Sequence, residues 1–409
     1  MNREPVVIIG AGPSGLAAAA ALAPHTPVLV LEREAQAGGI PRHCAHQGFG
    51  LRDLHRSLSG PAYAQRLVRA ALDAGVRIET RTMVTGWASA DALEVTGPGG
   101  RRTVSADAIV LATGARERAR AARRIPGDRP AGVYTTGQLQ QAVHLHHQGV
   151  GTRAVIVGAE AVSWSAVLTL REAGCAVVGL VTRHERPDAY APMARLGSLA
   201  LHVGVRTSTE VTAVLGHGRV TGVEVADRRT GAREVIACDT VVFTGDWIPD
   251  HELARLAGLT MDAGTRGPAV DTALRTSQPH VFAVGNLVHP VDTADVAALD
   301  GRHVVHAVRT RLAGLAPLAA PVPIVAEAPF TWVAPSLMRP GDIAPARGRL
   351  LLWSDALVPV PRVVVRQDGR VLARQRLPWP AAPGRVFRVP WSMLGAVRGD
   401  GGPVSVSLG

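Results

Sequence analysis

Four apolar residues, Val6–Ile9, run without interruption into Gly10-Ala11-Gly12-Pro13-Ser14-Gly15 and then into an alanine-rich stretch ending at Ala23. A short unbroken apolar run bounded by glycines predicts a strand buried on both faces, a tight turn and a helix. Val28–Leu31 predicts a second buried strand, ending on Glu32. Helical spacing follows over Tyr63–Ala74, then strands over Val76–Thr80, Leu93–Val95 and Ala108–Leu111, and a helix over Thr136–Gln148. The opening pattern then returns roughly 150 residues on: strand Ala154–Val157, a turn from Gly158, helix Ala161–Ala173 and strand Ala176–Val181. A repeated strand–turn–helix–strand unit predicts two similar nucleotide-binding folds in one chain. Val220–Val225 and Val235–Ile236 alternate as an antiparallel hairpin, and Val241–Thr244 and Val281–Val284 read as further buried strands.

The pattern changes past residue 314. Leu315–Val325 is rich in Ala and Pro and reads as a linker. Beyond it, Arg349–Trp353, Arg362–Arg366, Arg370–Arg374, Val386–Val389 and Val404–Leu408 are short strands separated by turn residues, a small all-β module. The predicted fold is α/β: two Rossmann-like βαβ domains, the second inserted in the first, plus that C-terminal module. Its parts are residues 1–117 with 250–316, residues 118–249, and residues 326–409.

Composition excludes several classes. With 47% hydrophobic and 19% charged residues, the 409-residue chain is globular and long enough for two or three cores. A net charge of +11 raises the question of nucleic acid, but all 44 basic residues are arginine and they are scattered. No reading motif accompanies them, so nucleic-acid binding is not expected. Without lysine, neither a Schiff base nor a phosphate-loop lysine is possible. Cys44, Cys175 and Cys238 form no C-x-x-C and no zinc or iron–sulfur spacing, so no metal site is expected. Unpaired cysteines in an odd count suit a reducing cytoplasm. The uncharged run Val6–Ala23 resembles a signal peptide or span, but Gly10, Gly12, Pro13 and Gly15 interrupt it as a strand–turn–helix requires. A soluble, cytoplasmic protein without a membrane span is the expectation.

The first glycine loop carries the clearest chemistry. Gly10-x-Gly12-x-x-Gly15 follows a strand and opens a helix, and acidic Glu32 stands twenty residues after Gly12. Glycines at this spacing let backbone N–H groups approach a pyrophosphate at the helix N-terminus, and the acid accepts from ribose hydroxyls. Three more segments favour FAD over NAD: Gly38-Gly39-Ile40, Leu111–Ala115, and the strand ending in Gly285-Asn286. With these, residues 5–315 resemble the two-dinucleotide-domain flavoproteins of glutathione-reductase-like fold.

The resemblance implies an FAD-contacting set of Gly10, Gly12, Pro13, Ser14, Gly15, Glu32, Arg33, Gly39, Ile40, Arg42, Val84, Ala112, Thr113, Gly114, Gly285, Asn286, Asp295 and Val296. Asn286 replaces the acid that contacts the ribityl chain in the family, and Asp292–Ala297 matches its helix start beneath the flavin ring. Within the family, Gly38–Cys44, Gly48-Phe49-Gly50, Gly60–Ala64, Ala112–Arg118 and Arg129–Thr135 resemble FAD-containing subunits of heteromeric dehydrogenases. These include the α-type subunits of opine, proline and sarcosine-oxidising complexes and flavoproteins associated with glycerol-3-phosphate dehydrogenases. The C-terminal module here has no cysteines, whereas larger relatives carry an iron–sulfur module there.

The second repeat departs from the pattern. Gly158-Ala159-Glu160-Ala161-Val162-Ser163 places a glutamate where the middle glycine belongs, putting a side chain and a negative charge in the way of a pyrophosphate. Thr182-Arg183 ends the following strand where an acid would stand. Arg183 alone would suit a 2′-phosphate, but Glu160 opposes it. The expected activity is that of an FAD-dependent oxidoreductase, one member of a heteromeric complex oxidising an amine, amino acid or polyol. Its reduced flavin would pass electrons to a second oxidoreductase subunit or a carrier. A self-sufficient oxidase or NADPH-dependent reductase, and a non-catalytic FAD-stabilised scaffold, are the alternatives. Candidate catalytic residues beside the flavin are His43, Cys44 and His46; His144, His146 and His147 read as a solvated helix face.

Overall fold

The first apolar run is strand β1 (Arg3–Ile9), which turns at Gly10 into helix α1 (Pro13–Leu22) and returns as β2 (Val28–Leu31). These elements come from a computed structural model, which describes residues 3–317 and 319–409. The chain continues through helix α2 (Gly60–Asp73) and strands β3 (Arg77–Glu79), β4 (Met83–Ser89), β5 (Ala92–Gly97) and β6 (Gly100–Leu111). The strands form one sheet in the order β3-β2-β1-β6-β5-β4. Pairing is parallel from β3 to β6, with Val6 opposite Val28 and Ala108, and antiparallel from β6 to β4. Val6, Val7 and Ile8 are fully buried, as an unbroken apolar strand between parallel neighbours must be.

The chain divides into two compact units. One comprises the segment up to Arg42, Gln47–Ala115 and Ile248–Gly409; the other comprises His43–His46 and Arg116–Trp247. In the second unit β7 (Val133–Thr135), β8 (Arg153–Val157), β9 (Ala176–Val181), β10 (Val205–Arg206) and β14 (Thr240–Phe243) form a parallel sheet in the order β7-β14-β8-β9-β10. Helix α3 (Thr136–Gln140) follows β7, α4 (Ala161–Glu172) joins β8 to β9, and α5 (Ala191–Leu201) precedes β10. Strands β11 (Thr209–Leu215), β12 (Gly222–Asp227) and β13 (Arg233–Ala237) make a separate antiparallel sheet that contains the expected hairpin.

Back in the first unit, β15 (Val281–Ala283) pairs with the end of β6, and helices α6 (Ala294–His303) and α7 (Val305–Leu312) follow. Two glycines let α6 lie close to α1. A Cβ on Gly301 would stand 2.1 Å from the Ser14 carbonyl oxygen, and one on Gly285 2.7 Å from Ser14 Oγ. The C-terminal strands β16 (Val322–Ala326), β17 (Phe330–Ala334), β18 (Leu337–Met338), β19 (Arg349–Ser354), β20 (Arg362–Gln367), β21 (Arg370–Arg376), β22 (Val386–Pro390) and β23 (Val404–Leu408) form two sheets, β18-β16-β23-β20-β21 and β17-β19-β22. They enclose a core that includes Leu350, Leu352, Val363, Val365, Phe387, Val404 and Val406.

Three elements differ from the pattern-based reading. The helix expected over Thr136–Gln148 is α-helical only to Gln140 and continues as a π-turn over Gln141–Leu145. Its buried Leu139 and Ala142 are three residues apart, a spacing that either winding satisfies. The linker ends at residue 321, because Val322 and Ile324 alternate inward as part of a strand despite Pro323; residue 318 of that linker lies outside the described residues. Strand β6 begins at Gly100 rather than Ala108, since its exposed first half carries Arg101, Arg102 and Thr103 and lacks an apolar signature.

Candidate functional site

The turn between β1 and α1 is built for close approach. Gly10, at φ 104°, has the Ala112 carbonyl oxygen 2.5 Å from where a Cβ would lie, and Gly15 has the Gly10 carbonyl oxygen at 1.9 Å. Side chains at either position would force strand and helix apart. Gly12, the N-cap of α1, is different: nothing lies within 4 Å of its missing Cβ, and the same holds at Gly114. The helix N-terminus therefore opens onto free space at Gly12, the place a pyrophosphate occupies in this architecture. Gly39 covers one flank, with Gly12 Cα 2.8 Å from its missing Cβ, and the Gly38 N–H donates to the Ala11 carbonyl at 2.8 Å. Arg42 is held over this loop by bonds to the Gln36 carbonyl (3.0 Å) and Oε1 (3.3 Å), while Ile40 is exposed.

Glu32 ends β2 as expected. Its carboxylate accepts from the Ala11 N–H (2.7 Å) and the Glu34 N–H (2.8 Å), one bond on each oxygen. Each oxygen keeps a lone pair for a ribose hydroxyl. Arg33 reaches Asp250 at 3.5 Å, and the Asp250 carbonyl accepts from Thr113 Oγ1 at 2.7 Å, which fastens the end of β6 next to the turn. Val84 is buried in β4, and Ala112 is buried at the end of β6.

At the other end of the cleft, Asn286 Nδ2 donates to the Asp292 carbonyl at 2.9 Å. Its Oδ1 is buried and has no partner among the described residues. A buried unsatisfied acceptor at this position fits a ribityl hydroxyl, a hydrogen bond that an asparagine can accept without a charge. The residues present therefore fit FAD at both ends of the cleft.

The start of α6 carries a feature that motif reading did not show. The N–H of Val296 donates to Asp295 Oδ1 at 3.0 Å, and buried Asp295 also accepts the Arg52 N–H at 2.9 Å and lies 3.4 Å from Arg52 Nη1. The positive end of the helix is thus already matched by a carboxylate.

In the second unit the glutamate at the middle glycine position is folded into the turn. Glu160 Oε2 accepts from Ser163 Oγ (2.9 Å) and Thr244 Oγ1 (3.0 Å), and the Glu160 N–H donates to Ser163 Oγ (3.1 Å). Its oxygens lie 2.8 Å and 2.3 Å from where Cβ atoms on Gly158 and Gly245 would be. The two glycines make room for the carboxyl group. Burial, reinforced by Asp188, pushes the Glu160 pKa up. Arg183, exposed at the end of β9, stands where an acid would be expected.

Glu117, in the same unit, accepts from the N–H groups of Gly137 and Gly245, each at 3.1 Å. Burial raises its carboxyl to about 7, against the pull of Thr136, the Gly137 N–H and Arg123. No sequence signal marks Glu117, because its partners lie up to 128 residues away.

The three catalytic candidates pack with this second unit. Cys44 is buried, its Sγ donates to Gln140 Oε1 at 3.2 Å, and burial next to Glu117 pushes the thiol up to about 12. His43 is buried and His46 half-buried. Burial likewise raises Cys175 and Cys238 to about 11. All three cysteines are therefore protonated at neutral pH, and thiolate chemistry needs the ionised form. Among the described residues no His, Cys, Asp and Glu group has metal-holding geometry, and no helix is long and apolar enough to cross a membrane.

A parallel-sheet domain with an open glycine turn, an acid ending its second strand and a second, repeated dinucleotide fold defines a two-dinucleotide-domain flavoprotein. The chain belongs to the pyridine nucleotide-disulphide oxidoreductase family, which matches residues 4–301, and FAD is the cofactor of that family. It is similar to a probable ferredoxin reductase, CtmF, of Castellaniella defragrans, 29% identical over 56% of this chain and 55% of that protein. The chain thus spans about half the length of that relative. It is 30% identical to a ferredoxin–NADP reductase of Salinispora tropica over 70% of this chain and 87% of that one. It is also 28% identical to an opine oxidase subunit of Agrobacterium tumefaciens, over 77% of this chain and 65% of that one. The fold is shared with the thioredoxin reductase of T. acidophilum, whose crystal structure superposes with a TM-score of 0.63, covering 76% of this chain and 99% of that one at 22% identity.

Proposed function

We propose that this chain is an FAD-dependent oxidoreductase that works as one subunit of a heteromeric dehydrogenase. In this reading it oxidises an amine, amino acid or polyol and passes electrons to a partner subunit or carrier rather than exchanging them with NAD(P)H. The observation that carries it is Glu160, whose buried carboxyl fills the second glycine turn between Gly158 and Gly245. A pyrophosphate entering there would meet that carboxyl group instead of open N–H groups, a like-charge contact whenever it is ionised. The likeness to the opine oxidase protein supports the substrate class. The protonated cysteines argue against a dithiol relay.

FAD, when bound, supplies the two-electron acceptor. The chain's own contribution begins at Gly12, where the α1 N-terminus faces the pyrophosphate. Glu32 would hold the ribose, Asn286 Oδ1 would accept from the ribityl chain, and Asp295 places a negative charge at the start of α6. His43 and His46 are proposed as the proton-handling groups near the reacting atoms, and Cys44 as a neutral neighbour. A second reading, a reductase fed by NADPH, draws on the likeness to the ferredoxin–NADP reductase. Rapid mixing of the FAD-loaded protein with NADPH separates the two. The flavin absorbance is expected to persist on the timescale of turnover, and fast bleaching would overturn the view that Glu160 closes the second site.

A further inference from the structure

Next to the cofactor cleft, and sharing Val296 with the residues expected at FAD, the first unit contains a cavity of about 190 Å³ between α6 and the C-terminal strands. Its walls are of two kinds. Leu274, Val288, Val296 and Leu351 supply aliphatic lining, and Arg347, Arg349 and Arg388 supply cations, with the Asp300 carboxylate also on the wall. Arg388 is already held by Asp292 at 2.8 and 2.9 Å. Among the described residues neither Arg347 nor Arg349 has a carboxylate within ion-pair distance; Arg349 lies over the Trp379 ring at 5.7 Å. Two arginines of the cavity wall are therefore without a carboxylate partner among the described residues.

Two buried polar groups on the wall add to this. Thr272 and His289 are only 1% and 3% exposed, and Thr272 Oγ1 and His289 Nδ1 have no hydrogen-bond partner among the described residues. His289 Nε2 is 2.6 Å from Asp300 Oδ2. Burial opposes a charge on this imidazole, but Asp300 outweighs it and the pKa lies above the ordinary value. With Nε2 engaged by Asp300, Nδ1 is the ring atom left for a ligand, and in the imidazolium form it is a donor. A cavity that keeps two unpaired guanidinium groups and two buried unsatisfied groups beside an aliphatic wall is complementary to an organic anion.

We infer that this cavity binds a small organic acid, its carboxylate on Arg347, Arg349 and His289 and its aliphatic body against Leu274, Val288, Val296 and Leu351. The volume exceeds the roughly 150 Å³ of an engineered cavity that accepts benzene, so an acid with a branched four-carbon body fits. The apolar wall distinguishes this ligand from inorganic sulfate or phosphate, whose oxygens would be left unsatisfied on that side. The site is tied to the cofactor turn, because Asp300 Oδ2 also accepts the Gly285 N–H at 3.2 Å. The inference does not depend on which reaction the flavin performs.

Calorimetric titration of the FAD-loaded full chain with isovalerate, 3-methylbutan-1-ol and sulfate tests it. Isovalerate is expected to bind at least about tenfold more tightly than either the alcohol or sulfate, since the carboxylate and the alkyl group both contribute. R347Q, at an exposed position, is expected to weaken isovalerate by about tenfold, and R349Q by a similar factor. R370Q, which removes the same charge from the exposed strand β21, should leave it unchanged. The flavin spectrum of each variant reports that it is folded. Absence of isovalerate binding, binding of sulfate as tight as isovalerate, or equal losses in R347Q and R370Q would each overturn the assignment.

Discussion

Glu160 and Glu117 show how single residues acquire chemistry from neighbours remote in sequence. Glu160 was conspicuous in the sequence because it interrupts a glycine motif, but the sequence placed its charge facing a ligand. In the fold it turns back onto Ser163 and Thr244, 81 residues apart, and plugs the turn from within. Glu117 was inconspicuous between two arginines, yet it is the buried acid whose ionisation is moved to about 7. Its effect on stability has a definite sign. A carboxyl that stays protonated in the folded state up to about pH 7 but ionises near 4.5 in the unfolded chain makes the folded state the proton-richer one between those values. Its contribution is fully present below about pH 4.5 and is lost as the pH rises through 7, a change of about 3 kcal/mol. Equilibrium denaturation between pH 5 and pH 8 should show that decline, and E117Q should flatten it; an unchanged slope in E117Q would show that another group is responsible.

Among the elements, the α1–α6 contact shapes the cofactor cleft most directly. Helix α1 is all alanine and leucine from Leu16 onward and is buried along most of its length, so another element must cover it. Gly301 lets α6 do so at backbone distance, and Gly285 makes the same allowance just before Asn286. A side chain at 301 would meet the Ser14 carbonyl, which cannot move without disturbing the turn at Gly12. G301V is therefore expected to destabilise the fold by at least about 2 kcal/mol and to weaken FAD retention. Thermal unfolding of the FAD-loaded protein with and without added FAD would reveal both effects. A melting temperature and flavin content equal to the parent's would show that the helices can separate without cost. The glycine loop and Glu32 were legible in sequence because motif and period coincide there. Gly301 was not, because a glycine inside a helix gives no sign of what crosses it.

For the first unit as a whole, arginine–aspartate bonds join the C-terminal strands to the dinucleotide fold. Asp271, 1% exposed on its side chain, accepts from Arg339 at 2.7 Å and lies 3.3 Å from Arg275, which also pairs with Asp342; Arg388 holds Asp292 just ahead of α6. Deleting one partner of a buried pair leaves a charge with fewer compensating groups. R339M is expected to cost about 2 kcal/mol, seen as a lower midpoint in urea, with the flavin spectrum unchanged in the folded protein. A midpoint equal to the parent's would mean that Arg275 and the nearby N–H groups suffice for Asp271. The scattered arginines that the composition left without a role are, at these positions, structural counter-charges.

By itself the sequence determined the two dinucleotide folds, the glycine turn with an acid at Glu32 after the second strand, the departure at Glu160 and the all-β end. Each of these is written in local order: an apolar run, a glycine at fixed spacing, an acid at the end of a strand. The tertiary structure alone decided which way Glu160 points, that Cys44 is a buried thiol against Gln140, that Asp295 accepts the Arg52 N–H, and that a cation-lined cavity opens between α6 and the C-terminal strands. Those features depend on burial and on partners tens to hundreds of residues away. Local pattern carries no record of either, because desolvation and hydrogen bonding arise only once the elements have packed.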